Sequence, residues 1–121
     1  MNSILIVDDS ASIRQTVKIA LSGQGHSVSE ACDGAEGLNK AQNGKYELVI
    51  TDLNMPNMDG LSMIRKMRTL PAYAGVPILF LTTESDAGLK QEAKAAGATG
   101  WVTKPFDSEQ LCRIVTKVLA K

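Results

Sequence analysis

Five short apolar runs alternate with five amphipathic stretches along this chain. Ile4-Leu5-Ile6-Val7 is apolar on both alternating faces, and Tyr46 to Thr51 carries the core Leu48-Val49-Ile50. Val76 to Thr82 is apolar too, with Pro77 tolerable only near its beginning. Runs of this kind are central strands of a parallel sheet covered by helices on both sides. Ser27 to Cys32 alternates small or apolar with polar residues and suits an edge strand, and Thr99 to Thr103 makes a short fifth strand.

The intervening stretches read as helices. After Ser10 as N-cap, Ile13, Val17, Ala20 and Leu21 recur at helical spacing, and Gly23 to Gly25 stops the helix. Asp33-Gly34 turns the chain into a short helix, residues 35–42, with Leu38 and Ala41 as its apolar contacts. Leu61, Ile64 and Met67 mark the buried face of a third helix ending near Leu70-Pro71. Residues 86–96 form a fourth, with a thin apolar face of Leu89, Ala93 and Ala96. From about Asp107, Leu111, Ile114, Val115 and Val118 line one side of the last helix. The alternation predicts one α/β domain over residues 1–121, a parallel sheet between two helix layers joined by right-handed crossovers.

Composition narrows the function classes. Lys+Arg and Asp+Glu are 13 each, and no segment interleaves basic residues with aromatics, so nucleic acid is not an expected partner. The run Ile4 to Val7 is stopped by two aspartates and is too short for a signal peptide or a membrane span, which predicts a cytoplasmic protein. Cys32 and Cys112 have no second Cys or His at metal-ligand spacing and read as two small hydrophobic residues in a reducing compartment. His26 is a lone turn histidine, and Met55, Met58, Met63 and Met67 are expected to fill core and loop.

The chemistry gathers at the strand exits. In a parallel sheet every strand C-terminus lies on one edge, where open α/β folds bind their ligands. The first strand delivers Asp8 and Asp9 there, the third Asp52, the fourth Thr82 and the fifth Lys104. Each alone has an ordinary reading: a helix cap, a β-forming residue, a surface charge. Their succession at consecutive exits points to a site. Two carboxylates about 4 Å apart repel by roughly 4 kcal/mol at an effective dielectric near 20, so the cluster calls for a cation. Lys104 supplies one charge, and an all-oxygen site with few protein ligands suits Mg²⁺. Asp8, Asp9 and Asp52 are candidate metal holders, and Asp52, alone on the middle strand before a Pro/Asn/Asp/Gly turn, is the candidate nucleophile for a phosphoryl group.

Four stretches carry a family resemblance: Ile-Leu-Ile-Val-Asp8-Asp9-Ser, Asp52-Leu-Asn-Met-Pro-Asn-Met-Asp59-Gly60, Leu-Thr82-Thr-Glu84 and Lys104-Pro105-Phe106. In this order and spacing they resemble the receiver domain of two-component response regulators, and among these the single-domain chemotaxis regulators, over essentially the whole chain. The resemblance implies a (βα)5 flavodoxin-like three-layer sandwich with strand order 2-1-3-4-5 and no output domain. It implies phosphorylation of Asp52 by a histidine kinase, with Mg²⁺, or Mn²⁺ in its stead, held by Asp9, Asp52 and the backbone carbonyl of Asn54, and oriented through water by Asp8. Thr82 and Lys104 would contact the phosphoryl group, and the Lys104-Pro105 peptide would be cis. Asn54 and Glu84 occupy positions that tune autodephosphorylation. Trp101 stands where the family usually has Tyr or Phe, at an aromatic switch on the face of the fourth helix, fifth strand and fifth helix.

A monomeric, phosphorylation-dependent switch acting on the flagellar motor switch is therefore the leading reading, with a phosphatase as a further partner. A phosphate sink or a regulator of another motility system would need the same residues. An aspartyl-phosphate phosphohydrolase of the haloacid-dehalogenase type would require an Asp two positions after Asp52 as general acid, where this chain has Asn54. A docking module that is never phosphorylated would not need every phosphorylation residue.

Overall fold

The computed structural model describes residues 2–82 and 87–120. Strands β1 (Ser3–Val7), β2 (Ser27–Ala31), β3 (Leu48–Asp52), β4 (Ile78–Thr82) and β5 (Gly100–Thr103) form one parallel sheet in the order β2-β1-β3-β4-β5. Between them run α1 (Ala11–Ser22), α2 (Gly34–Asn43), α3 (Gly60–Met67), α4 (Ala87–Ala96) and α5 (Ser108–Leu119). This is the (βα)5 flavodoxin-like sandwich that the sequence motifs imply.

Alternation along the strands sorts the core into two layers. Leu5, Val7, Val49, Ile78 and Phe80 face one side, packed with Ala41, Met63, Ile64, Met67 and Ala93 from α2, α3 and α4. Ile4, Ile6, Leu48, Ile50, Leu79, Leu81 and Val102 face the other, against Val17 and Leu21 of α1 and Leu111 and Val115 of α5. Burial on both faces is why β1, β3 and β4 read as continuous apolar runs. β2 is an edge strand whose residues stay half-buried or exposed until Ala31.

Helix starts follow side-chain caps. Ser10, Asp33, Asp59 and Asp107 each accept from a backbone N–H three residues on, at Ile13, Glu36, Ser62 and Gln110. A cap of this kind contributes about 1 kcal/mol. Among the described residues, no helix is long and apolar enough to cross a membrane.

Several boundaries differ from the pattern reading. β4 begins at Ile78, because Pro77 has no N–H for the ladder and contributes only its carbonyl, 3.1 Å from Val49 N. Helix α3 ends at Met67, short of Leu70. There the Arg68 guanidinium turns into the loops, donating to the carbonyls of Tyr73, Val76 and Gly97, while Pro71–Tyr73 forms a 3-10 turn. Leu61 is half-buried and Met63 takes the core position beside Ile64 and Met67. Cys32, read from its type as a small hydrophobic residue, is exposed at the mouth of α2 with its backbone N–H bound to Glu36 Oε1 at 2.7 Å; Cys112 is half-buried.

Gly60 sets how closely α3 approaches the end of β3. A Cβ there would lie 2.2 Å from the Asp52 carbonyl oxygen and 2.9 Å from Leu53 Cα, both backbone atoms that cannot yield cheaply. Gly60→Ala should therefore lower stability by about 1–3 kcal/mol in urea unfolding, the usual cost of overpacking. Gly75→Ala, where a Cβ meets open space, should stay within about 0.5 kcal/mol of the parent.

Candidate functional site

The parallel register brings the strand exits level. Val7 pairs with Thr51, Asp52 with Leu81, and Thr82 with Thr103, so the residues that follow β1 and β5 stand beside Asp52 and Thr82 on one edge. Carboxylate oxygens of Asp8, Asp9 and Asp52 all lie within 4.8 Å of one another there. Asp8 is fully buried, Asp52 half-buried and Asp9 exposed. The cluster thus grades from a sealed base to an open mouth.

Lys104 joins the cluster from the far side. Its Nζ is 3.2 Å from Asp8 Oδ2 and 3.5 Å from Asp52 Oδ2, and its backbone N–H donates to the Thr82 carbonyl at 2.7 Å. The Lys104-Pro105 peptide is cis, as the family motif implies. Asp8 Oδ1 accepts from Ser10 N at 2.9 Å, and Asp52 Oδ1 from Leu53 N at 2.8 Å. Burial pushes the Asp8 carboxyl above the usual carboxylate range; the Ser10 N–H and the Lys104 charge pull against it, and the neighbouring Asp52 adds to the rise. One ammonium against three carboxylates leaves the cluster negative. All its converging donors are oxygens, which fits a hard divalent cation.

The loop after Asp52 is shaped by local bonds. Thr51 Oγ1 donates to the Asp52 carbonyl at 2.7 Å, and Gly60 N donates to the Leu53 carbonyl at 3.0 Å, closing the loop at its base. Asn57 sits at φ 66°, in the left-handed region that Asn tolerates, and its Nδ2 donates to Asp33 Oδ2 at 2.7 Å. Gly34 N adds a bond to the Met58 carbonyl at 3.0 Å. The start of α2 therefore clamps the loop that presents Asn54, which is itself exposed. Asp33 and Asn57 were not among the sequence candidates. Their one signal was the Asn inside a Pro-Asn-Met-Asp turn, and its partner lies 24 positions away.

Thr82 is buried at the β4 exit, and Trp101 lies on the neighbouring strand beside Phe80, ring centroids 6.0 Å apart. Trp101 is 43% exposed, with Lys90 Nζ of α4 4.4 Å from its ring centroid, a cation-π contact that the sequence pattern did not reveal. Glu84 falls outside the described residues. The structure thus brings Asp8, Asp9, Asp52 and Lys104 into one cluster, with Thr82 bonded to Lys104 through the backbone. Asn54 stands at the entrance to the loop and Trp101 one strand away.

Residues 4–116 match the family model described as the response regulator receiver domain. The chain is 39% identical over 101 residues to a gliding motility regulatory protein of Myxococcus xanthus, covering 84% of this chain and 13% of that protein. It is 35% identical over 128 residues to the chemotaxis protein CheV3 of Helicobacter pylori, covering 98% of this chain and 41% of that one. It spans less than half the length of either relative. Among solved structures it is similar to the chemotaxis response regulator CheY4 of Vibrio cholerae, with TM-score 0.94, 46% identity and 98% of each chain covered. The receiver domain of the sensor histidine kinase PA1611 of Pseudomonas aeruginosa, which has a magnesium ion coordinated in its active site cleft, gives TM-score 0.92 at 27% identity over 99% of this chain and 98% of that one. A family match over residues 4–116, nearly the whole chain, establishes that this chain belongs to the response regulator receiver domain family.

Proposed function

We propose that this receiver domain is a signalling switch turned on by phosphorylation of Asp52, with Mg²⁺ as cofactor and a histidine kinase as donor. The observation that carries the reading is the convergence of the Asp8, Asp9 and Asp52 carboxylates within 4.8 Å, with Lys104 in contact with two of them. Asp9, Asp52 and the Asn54 carbonyl would hold the cation, with Asp8 acting through water. When bound, Mg²⁺ supplies positive charge that offsets the charge on the transferring phosphoryl group.

The residues divide the remaining work. A carboxylate oxygen of Asp52 attacks phosphorus, the bond to the donor's imidazole nitrogen breaks, and that nitrogen keeps the electron pair and its proton balance is restored from water. Lys104 then pairs with a phosphoryl oxygen and the Thr82 hydroxyl bonds another. The catalysis is self-directed and serves a switch, so the chain is a phosphoacceptor and not a turnover enzyme. Asn54 offers no general acid where a phosphohydrolase needs one, and with Glu84 it tunes how long the acyl phosphate lasts.

Output runs through a protein partner. Thr82 moving toward the phosphoryl group would draw Trp101 inward beside Phe80, changing the surface of α4, β5 and α5. Similarity to the chemotaxis proteins CheV3 and CheY4 supports a role in chemotaxis, and the proposal extends this to a cytoplasmic monomer with the flagellar motor switch as its target. Similarity to the Myxococcus gliding regulator supports a second reading, control of another motility system.

With a small phosphodonor and Mg²⁺, intact-mass measurement should show one added phosphoryl group, lost in Asp52→Asn; an Asp52→Asn protein that labels equally well sinks the assignment. Adding Mg²⁺ and beryllofluoride should change Trp101 fluorescence in the wild type but not in Asp52→Asn, and silence in both would separate Trp101 from the switch. The raised Asp8 carboxyl also has a stability consequence. The native state holds that proton to higher pH than the unfolded chain does, so stability falls as pH rises from the ordinary carboxylate range through the raised value. Without metal, Asp8→Asn should therefore unfold at higher urea than wild type near neutral pH, with the gap closing below the ordinary carboxylate range.

A further inference from the structure

The peptide plane between Asp8 and Asp9 is held by one side chain. Arg14, one turn into α1, donates from Nη1 to the Asp8 carbonyl oxygen at 2.7 Å and from Nε to Glu30 Oε1 on β2 at 3.2 Å. Glu30 is fixed in turn: Lys18 Nζ lies 3.5 Å from its Oε2, and Lys40 Nζ donates to its backbone carbonyl. Only 19% of the Arg14 side chain is exposed. The guanidinium is therefore seated between two anchors and does not sweep through solvent.

The geometry gives this contact a consequence for Asp9. Every other polar atom of Asp8 is already engaged, its N–H by the Ala31 carbonyl at 3.0 Å, Oδ1 by Ser10 N and Oδ2 by Lys104. Among the described residues, no hydrogen bond or ion pair holds the exposed Asp9 carboxylate. Its direction depends on the peptide plane from which its Cα departs, and that plane contains the Asp8 carbonyl. The Asp8 N–H that bonds the Ala31 carbonyl belongs to the preceding peptide plane, so among the described residues Arg14 is the side chain that holds the Asp8–Asp9 plane from outside the cluster.

We propose that Arg14, anchored by Glu30, is a positioning residue for divalent-cation binding: by fixing the Asp8 carbonyl it aims the Asp9 carboxylate into the cluster. This rests on the reading of Asp8, Asp9 and Asp52 as a cation site. A simple charge effect predicts the opposite behaviour, since a guanidinium near the site repels a cation and its removal would tighten binding. Positioning and charge therefore differ in the sign of one measurement.

That measurement is Mg²⁺ titration of the intact chain by calorimetry, with circular dichroism to verify folding. Arg14→Met should raise the Mg²⁺ Kd about tenfold despite removing a positive charge, the scale of lost support to a metal ligand. Arg14→Lys keeps the charge but lacks the planar fork that reaches both anchors, and should lose nearly as much. Glu30→Gln should show a smaller rise in Kd. Wild-type or tighter affinity in Arg14→Met overturns the proposal, and so does full rescue by Arg14→Lys. If Arg14→Met fails to fold, unchanged affinity in Glu30→Gln overturns it instead. Binding that is absent in wild type, or undiminished in Asp9→Asn, would overturn the cation site itself; binding lost in Asp9→Asn yet intact in Arg14→Met would overturn the positioning role alone.

Discussion

Repulsion among three carboxylates gathered at one sheet edge is the constraint to which the rest of this structure answers. At separations near 4 Å each like-charge pair costs roughly 4 kcal/mol at an effective dielectric near 20, a large share of a small domain's net stability. Lys104 relieves part of it by touching Asp8 and Asp52 together. Burial of Asp8 raises its carboxyl's affinity for a proton, and the neighbouring Asp52 charge adds to the rise. The residual negative charge leaves the site poised for a cation, and a site under such strain can couple ligand binding to conformation.

Holding that arrangement demands rigid surroundings. The sheet supplies them: β1, β3 and β4 are buried on both faces, so the exits bearing Asp8, Asp52 and Thr82 are set by a core with little freedom. The loops are then tied locally. Gly60 permits α3 to close against the Asp52 carbonyl, the start of α2 clamps Asn57 and Met58, and Arg14 holds the plane that leads to Asp9. The exposed end of the system is different. Trp101 sits 43% exposed on an edge strand, with contacts to Phe80 and Lys90 but no sealed core around it, the looseness that the proposed switch would use.

Much of this was readable from residue order. The two-sided apolar strands predicted a parallel sheet, and a parallel sheet predicted that Asp8, Asp9, Asp52, Thr82 and Lys104 would share an edge. Local signals sufficed because period and turn chemistry are properties of neighbours in sequence. Boundaries were less legible where a distant partner decided them. Helix α3 stops at Met67 where Arg68 turns toward carbonyls up to 29 positions away, and β4 starts only where Pro77 no longer interrupts the ladder. Cys32 read as a small hydrophobic residue by type, yet it lies exposed just past the end of the edge strand β2.

By itself, then, the sequence determined the order of elements, the apolar face each would bury and the set of charged groups at the strand exits, since these follow from periodicity and topology. Tertiary structure alone decided the contacts that aim those groups. Lys104 meets Asp8 across 96 positions, Asn57 meets Asp33 across 24, and Lys90 covers Trp101. Such pairings depend on the distance and direction between side chains on separate elements, which residue spacing does not encode; they exist only once hydrophobic burial has brought the elements together.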